Sequence, residues 1–220
     1  MNKKSSIRLA ADIGGTFTDV VLETPVGLYT AKVPTDTEQP ELGVIAGVEV
    51  VLRDAGIAAA DIDIFIHGTT LATNALIERK GEKTALITTE GFRDSLEIAY
   101  ESRFDQFDLM IDKPAQLIPR NLRFTVRERV NVRGEILVDL DQIAVVDLAK
   151  QLNDYGIGAV AVGFLHSYAN PKHEQCVREI LNAQGGNAEI TLSSDVCPEV
   201  REYERLMTTA CNALSLRRLG

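Results

Sequence analysis

Strands and helices alternate along this chain of 220 residues, and the alternation predicts an α/β fold: a mixed sheet that opens with an antiparallel meander, followed by a further α/β unit. Three observations carry that expectation. Ile7, Leu9, Ala11 and Ile13 alternate with Arg8, Ala10 and Asp12, the period of a half-buried strand. Val20-Val21-Leu22 then opens a second β-rich run after the short link Gly14-Gly15-Thr16-Phe17-Thr18-Asp19, and residues 27–33 read as a third strand that Pro34 ends. Beyond Pro40, helical periods and compact apolar runs take turns, as in parallel strands joined by helical crossovers.

The elements follow in order. Leu42, Ile45, Ala46, Val48 and Leu52 recur at helical spacing between Pro40 and Ala55, and Gly56 is a natural stop. Ile62-Asp63-Ile64-Phe65-Ile66 is a strand that delivers His67-Gly68-Thr69-Thr70 at its carboxyl end, and a helix over 71–80 closes at Gly81. Residues 84–88 form a strand, 91–99 a short helix, and 122–132 a strand that turns near Arg133-Gly134 into 135–138. A last unit runs through helix 141–155, strand 159–165, helix 171–184 and strand 189–193, which implies a parallel sheet covered on both faces. Residues 104–121 carry Asp105, Asp108, Pro114, Pro119 and Arg120 without a clear period, so they read as an inserted loop and a possible internal boundary. The remaining division places 1–200 in one lobe. Residues 201–220 begin a helix, with Leu206, Met207, Ala210 and Leu214 on a face that nothing later in the chain covers.

Composition narrows the function classes. An apolar content of 45% can fill a substantial core. The formal charge of −9, from 32 acidic and 23 basic residues, argues against a nucleic-acid surface. No apolar run approaches ~20 residues, and the segment before the first strand has no signal-peptide core, so a cytoplasmic chain without a membrane span is expected. Cys176, Cys197 and Cys211 are widely spaced without a Cys-x-x-Cys pair, which reads as packed thiols.

The chemistry concentrates near the first turn. Gly14 and Gly15 remove side chains that would keep a phosphate from the backbone N–H groups, and Thr16 and Thr18 add hydroxyl donors. Asp12 and Asp19 flank the turn, and carboxylates there suit a bound Mg²⁺ that also takes phosphate oxygens. A Gly-Gly hairpin with no ligand has the same local pattern.

The run Asp12-Ile13-Gly14-Gly15-Thr16-Phe17-Thr18-Asp19 resembles the first phosphate motif of the acetate and sugar kinase, Hsp70 and actin superfamily, in the version of the hydantoinase A and 5-oxoprolinase family. Later segments are similar to that family too: His67-Gly68-Thr69-Thr70 with Ala72-Thr73-Asn74-Ala75, Gly91-Phe92-Arg93-Asp94, Arg127-Glu128-Arg129-Val130, and Arg201-Glu202-Tyr203-Glu204-Arg205 with Thr208-Thr209 and Asn212-Ala213. The resemblance implies a ribonuclease-H-like mixed sheet, with ATP and Mg²⁺ or another divalent cation as cofactors. It assigns Asp12 to metal or nucleophile positioning, Gly14, Gly15, Thr16 and Thr18 to phosphate contact, and Asp19 to the turn or the metal's water shell. It makes His67 the leading catalytic and substrate-site residue, supported by Gly68, Thr69, Thr70 and Asn74.

As a member of that superfamily the chain reads as the N-terminal lobe of a larger enzyme, inactive alone, because ATP is closed there between this lobe and a missing C-terminal one. The implied activity is ATP-dependent opening of a five-membered cyclic amide or imide, in a hetero-oligomer with a second hydantoinase subunit. Ketone carboxylation by acetone or acetophenone carboxylase relatives, or a non-catalytic partner-binding lobe, stand as alternatives. The other polar candidates read as structural: His166 at a strand end, His173 as a solvated helix residue, Arg127-Glu128-Arg129 as a wet strand face, and Arg93-Asp94 and Arg201-Glu202 as local ion pairs.

Overall fold

The computed structural model describes residues 6–36, 39–79, 81–100, 105, 107–111 and 114–215. The chain divides into two compact units, Met1–Glu78 and Arg79–Gly220. The expectations for Lys80, Phe104, Asp112, Lys113 and the residues after Ser215 lie outside the described residues.

In the first unit, strands β1 (Arg8–Ile13), β2 (Phe17–Thr24), β3 (Gly27–Pro34) and β4 (Ile64–Thr69) form one sheet in the order β3-β2-β1-β4. The first three are antiparallel, and β4 lies parallel to β1. Pairing with β1 carries β4 three residues further than its apolar run suggests, so His67, Gly68 and Thr69 lie inside the strand rather than beyond it. The hairpin is tighter than the sequence implies for a similar reason. Gly14 N–H donates to Phe17 O at 3.0 Å, and β2 begins at Phe17.

Helix α1 (Pro40–Ala55) starts with Pro at its first turn and ends where Gly56 adopts φ 66, as its sequence requires. Gly43, Gly47 and Val51 recur every fourth residue on its buried face. A Cβ on Gly47 would stand 2.5 Å from Val20 Cγ2, so the glycine lets the helix backbone settle directly on β2. Val51, Val20, Leu22, Leu9 and Ala11 form the core beneath it. A short helix, α2 (Leu71–Ile77), follows β4.

The second unit is built on β5 (Thr84–Thr89), β6 (Arg123–Val126), β9 (Ala159–Gly163) and β10 (Glu189–Leu192), all parallel in the order β10-β9-β5-β6, with β7 (Arg129–Val130) and β8 (Ile136–Val138) as a separate hairpin. The described residues thus form a mixed four-stranded sheet that opens with the expected meander and, in the second unit, a parallel four-stranded sheet. Every residue of β5 and β9 is buried. The helices are α3 (Ser95–Ile98), α4 (Gln142–Asp154), α5 (Lys172–Ala183), α6 (Ser193–Val196) and α7 (Glu202–Ser215). Asp141 caps α4 by accepting from Ala144 N–H at 3.0 Å.

Leu206, Ala210, Ala213 and Leu214 of α7 are buried in this unit's core, where earlier elements cover them. The 114–122 stretch is likewise anchored: Ile118 is fully buried, Arg123 Nε donates to its carbonyl at 2.8 Å, and Arg79 Nη1 donates to Gln116 O at 2.9 Å. Among the described residues no helix is long and apolar enough to cross a membrane.

Candidate functional site

The register of the first sheet decides which polar side chains can act together. Asp12 pairs with Asp19 on β2 and with Gly68 on β4, while Asp19 pairs with Lys32 on β3. Paired residues share a face of the sheet, so Lys32, Asp19, Asp12 and Gly68 form one row across four strands. The row is open to solvent, on the side opposite the buried Ala11, Val20 and Ile13. A Cβ on Gly68 would lie 3.6 Å from Asp12 Oδ1, so the glycine leaves that carboxylate uncovered.

Asp12 and Asp19 differ in what they hold. Lys32 Nζ donates to both oxygens of Asp19, at 2.7 and 2.8 Å, and stands 5.4 Å from the Phe17 ring centroid. Asp12 is exposed and has no hydrogen-bond or ion-pair partner among the described residues. Lys32 was missed in the sequence. The signal was available: the Gly14–Phe17 turn and the Thr24–Gly27 turn, closed by Thr24 Oγ1 donating to Gly27 O at 3.0 Å, fix both hairpin registers.

The turn's glycines serve space rather than unusual backbone angles, since neither adopts positive φ. A Cβ on Gly14 would meet Phe17 O at 2.8 Å, and one on Gly15 would meet Asn74 Nδ2 at 3.0 Å. Asn74 thus lies directly against the turn, with its amide 3.4 Å from Thr70 Oγ1. Thr70 precedes α2, and its side chain makes no capping bond. Thr70 N–H and Thr69 Oγ1 both donate to Ile13 O, at 3.1 and 3.4 Å, which ties the end of β4 to the start of the turn.

Two expected site residues lie elsewhere. Thr18 is fully buried beneath α1, with its hydroxyl 2.9 Å from Thr35 Oγ1, so it builds the sheet's inner face and is not open to a phosphate. His67 pairs with Ala11 and so points to the face opposite Asp12, where its ring stacks near Phe65 with centroids 6.3 Å apart. The sheet brings Asp12, Gly14, Gly15, Thr16, Asp19, Gly68 and Asn74 to one end, and it separates His67 from them.

The second unit collects buried polar groups at the carboxyl ends of its parallel strands. His173 Nδ1 lies 2.8 Å from Glu128 Oε2, and Thr89 Oγ1 donates to Glu128 Oε1. Glu128 and His173 are almost wholly buried, so neither is the solvated residue expected, whereas Arg127 is exposed and Arg129 half-buried as a wet strand face would have them. Glu174 Oε1 accepts from Phe164 N–H at 2.9 Å and Ser193 Oγ at 2.6 Å, and its Oε2 accepts from Ser194 N–H at 2.9 Å. Burial pushes the Arg205 guanidinium below its ordinary value, and the charge of Glu174 opposes that shift. Asp94 pairs with Arg120 at 3.0 Å and Arg201 with Glu204 at 3.6 Å, so the partners differ from the adjacent residues expected. His166 lies beside Tyr168, at φ 55. These contacts are structural in character, although Arg205 Nε, Ser194 Oγ and Glu204 Oε2 are buried without a hydrogen-bond partner among the described residues.

Comparison with known proteins follows the same residues. Positions 8–185 match the family described as hydantoinase/oxoprolinase N-terminal region. Caprolactamase subunit alpha of Pseudomonas jessenii is 34% identical over 217 residues, covering 96% of this chain and 31% of that protein. The acetophenone carboxylase gamma subunit of Aromatoleum aromaticum is 33% identical over 219 residues, covering 92% of this chain and 30% of its own length. A nucleotide-free structure of acetone carboxylase, an enzyme of ATP-dependent acetone carboxylation, superposes with a TM-score of 0.87 at 25% identity, over 97% of this chain and 33% of that one. The chain thus spans about 30% of the curated relatives it matches.

Proposed function

Because the chain belongs to the hydantoinase/oxoprolinase family, we propose that it is the ATP-phosphate-binding and substrate-activating part of an ATP-dependent enzyme that opens five-membered cyclic amides or imides. The observation that carries this reading is the open Asp12 carboxylate, set on a central strand beside the Gly14-Gly15 turn and left uncovered by Gly68. We take the β3-β2-β1-β4 order as the start of a ribonuclease-H-like sheet.

Asp12 is an oxygen donor of the kind that suits Mg²⁺, which takes one or two carboxylates and fills its shell with water and phosphate oxygens. Bound there with ATP, the ion would supply charge neutralisation for transfer of the terminal phosphoryl group to the amide oxygen, making that oxygen a leaving group before water opens the ring. The chain's own residues position the reactants. Gly14 N–H is spent closing the turn on Phe17 O, so Gly15 and Thr16 present the backbone N–H groups and a hydroxyl to phosphate oxygens, and Asn74 supports the turn from behind. His67, on the other face of β4 with Thr69, serves the cyclic substrate or its orientation and not the phosphates. The free thiols Cys176, Cys197 and Cys211 suit a reducing cytoplasmic setting. Relatives named as enzyme subunits support a hetero-oligomer with a second subunit.

A second reading, ATP-dependent ketone carboxylation, is favoured by the likeness to acetone carboxylase. The two separate by product. The complete protein is supplied with Mg²⁺, ATP and either 5-oxoproline and hydantoin or ketones with bicarbonate, and ADP release is measured. Cyclic-amide-dependent ADP release that falls by on the order of a hundredfold in Asp12→Asn supports the first reading. ADP release only with ketone and bicarbonate assigns the second, and an Asp12→Asn enzyme with parental turnover removes Asp12 from the site.

A further inference from the structure

Lys32 is held in a way that surface stability does not explain. Its ammonium spans from β3 to both carboxylate oxygens of Asp19 on β2, while the two side chains remain 57% and 52% exposed. Exposed ion pairs contribute little to folding and cost side-chain entropy to hold. Position accounts for the pair better. Lys32 stands in the same row as Asp12 and Gly68, with its ammonium 5.4 Å from the ring centroid of Phe17, the residue that closes the Gly14-Gly15 turn.

We infer that Lys32 recognises the terminal phosphate of the nucleotide and that Asp19 acts through it as a positioning residue. The inference rests on reading this end of the sheet as a phosphate site. An ammonium carries three N–H donors, and Asp19 engages two oxygens, leaving one donor for an incoming oxygen without breaking the pair. A lysine is a point charge without the fork of an arginine, so it selects by net charge and favours the terminal phosphate, the most highly charged of the three. The charges agree. Two carboxylates and one ammonium give the row one net negative charge, and a divalent cation at Asp12 turns it positive for a polyanion. Asp12 is then the row's open carboxylate for the cation, and Asp19 does not serve the metal's water shell.

Titration calorimetry of the complete protein with Mg-ATP and Mg-ADP tests this in the parent, Lys32→Met, Lys32→Arg and Asp19→Asn. Lys32→Met is expected to weaken Mg-ATP by on the order of tenfold or more while changing Mg-ADP much less. Lys32→Arg should restore most of the preference for ATP. Asp19→Asn should lose the same preference, and the double variant Lys32→Met with Asp19→Asn should be no worse than Lys32→Met alone. Equal losses for ATP and ADP, or none, overturn the assignment of Lys32 while leaving the nucleotide site in place. A greater loss for ADP overturns it too. A parent that binds neither nucleotide overturns the underlying phosphate-site reading instead.

Discussion

Removing the Glu174 carboxylate should unfold the second unit more readily than any surface change in it. The side chain is fully buried, and its two oxygens accept from Phe164 N–H, Ser194 N–H and the Ser193 hydroxyl. In Glu174→Ala the Ser193 hydroxyl keeps Ser167 Oγ at 3.0 Å, but both backbone N–H groups lose their partner. An orphaned buried donor such as Phe164 N–H costs roughly 1–3 kcal/mol, and the half-buried Ser194 N–H less. Arg205, 1% exposed, loses its favourable charge as well and keeps only the carbonyls of Glu199 and Phe164. The loss should total about 4 kcal/mol, near the usual cost of breaking a buried charged network. Glu174→Gln keeps one acceptor oxygen and should lose about half as much. Against a domain stability of roughly 5–15 kcal/mol this is large, equivalent to about 10 °C in Tm. Urea melts followed by far-UV circular dichroism and tyrosine fluorescence would read it, because Tyr168 lies 5.5 Å from the Arg205 guanidinium. Both variants falling within about 0.5 kcal/mol of the parent, the range of neutral surface changes, would refute the network argument.

Three further outcomes follow from other parts of the molecule. His67→Asn in the complete enzyme should lower substrate-dependent turnover while Tm and Mg-ATP affinity stay near parental values, since His67 is exposed and faces away from Asp12; a destabilised but fully active variant would return His67 to a structural role. Gly47→Ala should destabilise despite the roughly 1 kcal/mol that alanine adds to a helix, because its methyl meets Val20 Cγ2 at 2.5 Å and overpacking costs about 1–3 kcal/mol; a raised Tm would contradict the close helix-on-sheet approach. Tyr100 donates to Glu204, which holds that carboxyl below its ordinary 4.5, and the same bond pushes the phenol above its ordinary 10.0. The lowered carboxyl stabilises above 4.5 and fades in acid, whereas the raised phenol stabilises below 10.0 and fades in alkali. The Tm gap between parent and Tyr100→Phe should therefore be widest between those values, and a gap that grows toward acid would count against the bond.

Local signals were legible where local physics decides. Pro40 and Gly56 bound α1 to the residue, and Gly27 and Pro34 bound β3. Reading failed where a distant partner sets the outcome. Gly68 weakens any strand prediction, yet pairing with Asp12 keeps β4 extended through it. That extension also moved His67 from a strand end to the face opposite Asp12. Glu128 and His173 look solvated alone, and only their meeting across 45 residues makes a buried pair. The glycine turn was visible because both of its strands are neighbours in sequence, whereas the split of the candidate site between two faces depended on β4's register.

The β1–β4 pairing also orders the assembly of the row in time. Lys32, Asp19 and Asp12 are joined by two consecutive hairpins, which close on a scale of about 1–10 μs. Gly68 arrives only when the chain between Ile13 and Thr69, 56 positions apart, has looped back with α1 inside it. The acidic edge thus forms early from local contacts, while the wall that frames Asp12 waits for the slow, non-local closure. Pulsed hydrogen exchange during refolding would show this as early protection at the β1–β2 hairpin bonds and late protection at the amides that join β4 to β1.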